Sequence, residues 1–165
     1  MSTDTIAIFE VPDGHAALET IRRFATTTTP SPLSAVGQRY LERWRPQEWE
    51  YDGHDNLLGP GGFSIRAEGG IVEVYHLLRY QTFAVQGEDG RLVLDAFHFI
   101  GRLIGSNAMI IIHELLPHEG QNLNAASETL RDRIGPPATD WKELHSSDLY
   151  EAGCWIRVEI EREAE

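Results

Sequence analysis

The chain has 165 residues, which is long enough for one domain with its own hydrophobic core and too short for two. Hydrophobic residues make up 41% of it and charged residues 24%, proportions that exclude a wholly disordered chain. Its 26 acidic and 14 basic residues give a formal net charge of −12, which disfavours binding to nucleic acids and to anionic membrane surfaces and favours a basic partner.

The cysteine content and the N-terminal sequence bear on compartment and cofactors. Cys154 is the only cysteine, so neither an intramolecular disulfide nor a multi-cysteine metal site is expected. The N-terminal residues lack the basic and apolar regions of a signal peptide. The longest apolar runs are far shorter than the roughly 20 residues of a membrane span. We therefore expect a cytoplasmic protein without a resident cofactor.

The first 44 residues predict one strand and two helices. Residues 5–11 form a short β-prone run, which Pro and Gly terminate. Asp13 is a suitable N-cap for a helix over residues 15–24, whose apolar side chains share one face. Ser31 as N-cap, followed by Pro32 at the first helical position, predicts a second helix that extends to about Trp44.

Residues 45–62 are the least regular part of the sequence and are expected to form an irregular loop. Aromatic and polar side chains stand among several turn-forming residues in this segment. Loops often carry binding residues, so the segment is a candidate interaction surface. The alternative is an ordered connector whose aromatic rings cover the edge of the core.

The middle of the chain predicts a hairpin. Residues 63–67 and 71–80 read as two strands joined by a Glu-Gly-Gly turn, in which glycine supplies the positive φ that such turns require. Residues 82–85 either extend the second strand or form another one.

The following helix and strand are strongly apolar. Asp89 is a suitable N-cap for a helix over residues 91–104, and apolar side chains cover more than half of that helix's circumference. Residues 108–115 form a strand with four consecutive apolar residues, which predicts a central position with both faces covered.

The C-terminal third predicts one more helix and one more strand. Asn124 is a suitable N-cap for a helix that ends at about Ile134. Residues 154–161 alternate with a period of two, so we expect the even-numbered side chains in the core and Trp155 to point away from that face. Residues 161–165 are expected to form a frayed acidic tail.

These elements together predict a single-domain α+β fold over residues 1–165. We expect an antiparallel or mixed sheet of about five strands, with about three helices packed mainly on one of its faces. The sequence shows no internal repeat and no linker that would divide the chain.

The histidines raise the question of a metal or catalytic site. The segment from His113 to His118 resembles the metalloprotease pattern H-E-x-x-H, but the two histidines are five residues apart and Pro117 prevents a helix there. No metal is therefore expected. His76 lies on the apolar face of its strand, where a structural role is more common than a catalytic one.

One part of the sequence resembles a known class of proteins. The strand IVEVYHLLRY, the helix LVLDAFHFIGRLIG, a Gly-Ser turn and the strand AMIIIHEL, all between residues 71 and 115, resemble small acidic bacterial immunity proteins of polymorphic-toxin systems. This resemblance implies an acidic surface that blocks the basic active-site cleft of a toxin domain. It carries over no functional residue.

The leading functional expectation is a non-enzymatic interaction protein that binds a basic protein partner, such as a toxin domain. The candidate partner-binding residues are Trp49, Tyr51, His54, Asp55 and Glu114. Replacing Trp49 with alanine would then weaken partner binding by about 2 kcal/mol or more and leave the fold intact.

Two alternatives remain open at this point. One is a small-molecule-binding domain or enzyme whose pocket, between sheet and helices, uses His76, His113 or His118. The other is a homo-oligomer, such as a homodimer, whose exposed aromatic side chains are self-contacts.

Overall fold

The computed structural model describes residues 4–25, 31–39, 49–52, 56–59, 62–113, 121–141 and 155–160. Within these ranges the chain forms seven strands and five helices. The strands are β1 (Asp4–Glu10), β2 (Glu50–Tyr51), β3 (Asn56–Gly59), β4 (Phe63–Glu68), β5 (Ile71–Arg79), β6 (Ala108–His113) and β7 (Ile156–Glu159). The helices are α1 (Gly14–Ala25), α2 (Pro32–Arg39), α3 (Tyr80–Val85), α4 (Glu88–Leu103) and α5 (Leu123–Arg133).

All seven strands belong to one antiparallel sheet with the order β2-β3-β4-β5-β1-β6-β7. The α+β class is confirmed, and the sheet has more strands than the five or so expected. Strand β6 pairs with β1 on one side and β7 on the other, and all six of its residues are buried. The prediction of a central apolar strand is therefore confirmed.

The helices cover the two faces of the sheet unequally. Gly101 of α4 lies against Phe9 of β1, at a distance that leaves no room for a side chain. The next residue of β1, Glu10, points to the opposite face, where its carboxylate accepts a hydrogen bond of 2.9 Å from the backbone amide of Leu123 at the start of α5. Of the described helices, α1 to α4 therefore lie on one face or at its end, and α5 lies on the other.

Two segments differ from the expected secondary structure. Residues 50–51 and 56–59, within the segment expected to be irregular, form the strands β2 and β3. Residues 82–85 belong to helix α3 rather than to a strand. Here the packing of Phe83 against Phe97 of α4, with 5.9 Å between ring centroids, outweighs the β-propensity of a short run.

The helix N-caps were predicted correctly for two helices and wrongly for two others. The Oδ1 atom of Asp13 accepts hydrogen bonds from two backbone amides at the start of α1, and Ser31 and Ser34 bond reciprocally at the start of α2. Helix α4 begins at Glu88 without a side-chain cap, so Asp89 lies inside its first turn. The N-cap of α5 is Asn122, two residues before the residue expected.

The predicted orientation of Trp155 is confirmed, and the side chain is buried on the face to which it points. The side chain does point away from the face that carries Ile156 and Ile160, but it is 0% exposed. Its indole N–H donates a hydrogen bond of 2.9 Å to the carbonyl oxygen of Gly135, in the segment that follows α5. Helix α5 and this segment cover the second face of the sheet. The Trp155 side chain, which points away from α4, is therefore also buried.

Among the described residues, no helix is both long enough and apolar enough to cross a membrane. The expected tail at 161–165 and the residue Cys154 lie outside the described residues.

Candidate functional site

Of the two candidate partner-binding residues within the described ranges, Tyr51 lies on the surface, with 41% of the residue exposed. Its phenol donates a hydrogen bond of 2.9 Å to Oε2 of Glu19 on α1. The guanidinium carbon of Arg22 lies 5.6 Å from the centre of the Tyr51 ring, within the range of a cation–π contact. Arg22 and Arg23 each also lie 3.4 Å from Oε1 of Glu19. The tyrosine is thus held against α1 by a small charged cluster.

The Tyr51–Glu19 hydrogen bond shifts the pKa values of both groups. It is the largest cause lowering the pKa of Glu19, with Arg22 and Arg23 acting in the same direction. Burial is the largest cause raising the pKa of Tyr51, and the negative charge of Glu19 adds to it. The contribution of Glu19 to stability is therefore present above its ordinary pKa of 4.5 and is lost as the pH falls through its folded-state pKa. That of Tyr51 is present below pH 10 and is lost as the pH rises through its folded-state pKa.

Replacing Tyr51 with phenylalanine is expected to raise the pKa of Glu19 toward its ordinary value, because the phenol donor is lost while both arginines remain. Carboxyl NMR titration of the wild type and the variant measures this shift. Tyr75→Phe is the matched control, since that phenol donates to a different carboxylate, Glu73. An unchanged Glu19 pKa in Tyr51→Phe would contradict the arrangement.

Trp49, in contrast, is a core residue. It is 7% exposed, and its ring stacks on Phe63 with a centroid distance of 6.3 Å and an interplanar angle of 21°. Its six-membered ring also lies against Gly59, where a Cβ atom would come within 2.3 Å of it. The position of Trp49 agrees with the alternative prediction for this segment, in which aromatic rings cover the edge of the core. The other three candidate residues, His54, Asp55 and Glu114, lie outside the described residues.

The described histidines of the alternative hypothesis are buried in the sheet. Thr5 of β1 pairs with His76 on β5 and with His113 on β6, so the two histidines lie on one face with a strand between them. The Nδ1 atom of His76 accepts a hydrogen bond of 3.0 Å from the amide of Leu78. The His113 ring meets Tyr80 edge to face at 5.3 Å. His118 lies outside the described residues.

These histidines do not converge on an open cavity. His76 is 0% exposed, and two strand spacings of about 4.8 Å separate the backbones of His76 and His113. Among the described residues, no group of three or more His, Cys, Asp or Glu side chains could hold a metal ion. The geometry of His76 is that of a hydrogen-bonded core histidine.

One surface cleft lies where α3 meets α4, and we call it the α3–α4 cleft. It has a volume of about 500 Å³. Its lining residues come from the ends of three helices: Arg39, Thr82, Val85, Gly87, Glu88, Asp89 and Gly90. It combines an apolar side chain, Val85, with two carboxylates. The Nε atom of Arg39 lies 2.9 Å from Asp89, whereas its NH1 atom is 4.0 Å from Glu88.

A second cleft, of about 540 Å³, lies at the end of the sheet where β1 leaves it and β6 enters. Glu10 and Arg157 are the charged residues in its lining. Both are already engaged, since Glu10 accepts from the amide of Leu123 and the guanidinium of Arg157 donates to Asn124 at 3.1 Å. The cleft is thus a polar surface depression whose charged groups bond to α5.

The α3–α4 cleft was not found by sequence reasoning. Val85 was assigned to a strand and Asp89 to a helix cap, and nothing in the local sequence joins them to Arg39, which is about 50 positions earlier. The only local signal is the acidic pair at the start of α4, a placement that the helix dipole alone explains.

No protein-family model matches the chain, and no curated protein or solved structure matches it either. The fold and the surface of the described residues are therefore the basis for any functional proposal.

Proposed function

We propose that the chain is a non-enzymatic interaction protein that acts in the cytoplasm and binds a basic protein partner. A toxin domain is the kind of partner that the resemblance to immunity proteins implies. The observation that carries the proposal is the α3–α4 cleft, where an exposed apolar residue lies beside acidic side chains at a concave surface.

The side chains of the cleft suit a cationic side chain from a partner. Val85 is 55% exposed and lies beside the two carboxylates in the lining of the cleft. Asp89 is held at 2.9 Å by Arg39, whereas the side chain of Glu88 is 77% exposed and makes only a 4.0 Å contact. Glu88 is therefore the carboxylate accessible to an arriving arginine or lysine, whose aliphatic stem would pack on Val85.

The charge of the whole chain supports the same partner class. The net charge of −12 would steer a basic protein toward this surface and raise its association rate. Seven of the twelve excess negative charges belong to residues outside the described ranges, including Glu114 and the 161–165 segment. In this proposal the cleft supplies the local contact, and the remaining acidic residues supply the long-range attraction.

The alternative of a His-lined catalytic pocket has less support. His76 uses its Nδ1 atom to accept a backbone hydrogen bond and is buried beneath Phe63, whose ring centroid lies 4.8 Å away. Neither of the two clefts above includes a histidine in its lining.

Reversing the charge of Glu88 is expected to weaken partner binding by about tenfold, because the carboxylate most accessible to a cationic side chain is replaced by a repelling group. The tagged wild type, Glu88→Arg and Glu128→Arg are immobilised and exposed to lysate of the source organism, and the captured proteins are quantified by mass spectrometry. Glu128→Arg is the matched control, since it makes the same charge change on α5, across the sheet.

The expected result is one stoichiometric basic partner that is captured by the wild type and the control and depleted on Glu88→Arg. Equal capture on all three proteins would remove the α3–α4 cleft from the proposal. The capture of no stoichiometric basic protein by the wild type would overturn the proposed function itself.

A further inference from the structure

Strand β7 ends the described sheet, and its backbone shows which residues face outward. The amide of Ile160 donates a 3.0 Å hydrogen bond to Asn107, so the even-numbered residues direct their backbone groups toward β6. Successive residues of a strand direct these groups to opposite sides. Consistently, the carbonyl of Trp155 points outward, where it accepts a hydrogen bond of 2.7 Å from Ala138.

Arg157 and Glu159 therefore present their amide and carbonyl groups to the outer edge of the sheet. Within the part of the chain that the structure describes, neither backbone makes a hydrogen bond on that side. Both side chains are exposed and lie on the face that carries α5. A strand edge whose backbone groups are unpaired among the described residues is a template for another strand.

The charged residues on this edge are complementary to the same residues on a second copy of the chain. If a second copy approaches antiparallel about a two-fold axis through Val158, residue 157 of one copy lies opposite residue 159 of the other. Arg157 then faces Glu159 of the second copy, and Glu159 faces its Arg157. These are the positions whose backbone groups point outward, so each forms a hydrogen-bonded pair with a Cα separation of about 5.5 Å. Cross-strand pairs of opposite charge stabilise such an arrangement.

The other face of the strand fits the same register. Ile156 of one copy lies opposite Ile160 of the other, and the two Val158 side chains meet at the axis. These three residues lie on the face covered by α4, where Gly101 is in contact with Ile160. Apolar side chains thus pair on one face and opposite charges on the other.

We propose that a second copy of this chain docks on β7, so that two seven-stranded sheets join into one continuous sheet across a two-fold axis. The register is fixed by the reciprocal Arg157–Glu159 pairs. The opposite edge of the described sheet is a poorer template, because β2 has only two residues and its Tyr51 is bonded to α1. The inference is independent of the proposed partner, which binds at the α3–α4 cleft.

A short strand pair between two molecules of charge −12 forms a modest dimer whose affinity depends on salt. Its stoichiometry is measured by sedimentation velocity from about 1 μM to about 1 mM protein at about 0.15 M salt, a range that covers weak to moderate dissociation constants. The wild type is expected to pass from monomer to dimer in this range.

Charge exchange tests the register directly. Arg157→Glu places two acidic residues opposite each other, and Glu159→Arg places two basic residues opposite each other, so each variant alone is expected to be monomeric. Mixing the two variants restores both opposite-charge pairs and is expected to give a heterodimer. The double exchange Arg157→Glu/Glu159→Arg is expected to dimerise like the wild type.

Arg131→Glu, which makes the same charge change on the exposed surface of α5, is the control and is expected to dimerise. Circular dichroism of each variant establishes that it is folded. A wild type that stays monomeric at about 1 mM would overturn the proposal. So would a dimer that persists in both single variants, or single variants that remain monomeric when mixed.

Discussion

Replacing Trp155 with alanine is expected to lower the free energy of unfolding by about 3–5 kcal/mol. The side chain is 0% exposed and is the largest of the fully buried side chains in the described residues. Its removal would leave a cavity between β7 and the segment after α5, and would leave the carbonyl of Gly135 without its 2.9 Å indole partner. Such a loss is a large part of the 5–15 kcal/mol by which a typical domain is stable.

Urea denaturation measures this effect, followed by circular dichroism so that the signal does not depend on tryptophan fluorescence. Trp155→Phe separates the two contributions, since it keeps most of the ring volume and removes the N–H donor. Tyr51→Ala is the surface control, because Tyr51 is 41% exposed, and a smaller loss is expected there. If Trp155→Ala is no more destabilising than Tyr51→Ala, the buried position of Trp155 is incorrect.

Replacing Trp49 with alanine is also expected to destabilise the fold by about 3–5 kcal/mol. The ring stacks on Phe63 and fills the space above Gly59, at the end of the sheet formed by β3 and β4. This result differs from the sequence-based expectation, in which the same substitution weakened partner binding and left the fold intact. The difference follows from its burial, since only 7% of Trp49 is exposed.

Gly59→Ala is a second test of the contact between Gly59 and the Trp49 ring. A Cβ atom at Gly59 would lie 2.3 to 2.7 Å from three ring carbons of Trp49, a distance that forces the rigid indole to move. We expect this variant to be destabilised and to show an altered near-UV circular dichroism signal from Trp49. Gly69→Ala would not serve as a control, since Gly69 has a φ of 59°. Gly87→Ala is suitable, because nothing lies within 4 Å of a Cβ atom there. A Gly59→Ala variant as stable as Gly87→Ala would contradict the Trp49 packing.

The two tryptophans limit how the proposed function can be tested. A loss of binding in Trp49→Ala would report unfolding as readily as a lost contact. The exposed residues of the α3–α4 cleft avoid this problem, since Glu88 makes only one long ion-pair contact. Binding experiments on this protein should therefore use Glu88 and its control Glu128 rather than the large aromatic side chains.

Sequence patterns were sufficient for elements whose signal is local. The hairpin pattern of residues 63–67 and 71–80 and the four consecutive apolar residues of β6 predicted strands that the structure contains. Asp13 and Ser31 were identified as N-caps because a cap acts on backbone amides only two or three residues away. In each case the residues that determine the structure are neighbours in the sequence.

Other features depend on contacts between distant parts of the chain. Strands β2 and β3 are two and four residues long, and they exist through pairing with each other and with β4. Helix α3 forms because Phe83 packs on α4, although its residues favour a strand. The cleft beside it depends on Arg39 reaching Asp89 across 50 positions.

The sequence by itself determined the α+β class, the apolar central strand and the acidic character of the molecule, since composition and periodicity carry these directly. The tertiary structure decided which surfaces are exposed. The local pattern predicted the direction of Trp155 and made Trp49 a candidate binding residue, and both side chains are buried. Helix α5 and the segment after it cover Trp155, and Trp49 packs against Phe63 and Gly59. Alternation along a strand determines which face of the sheet a side chain points to. Only the packing of other elements determines whether that face is exposed to solvent.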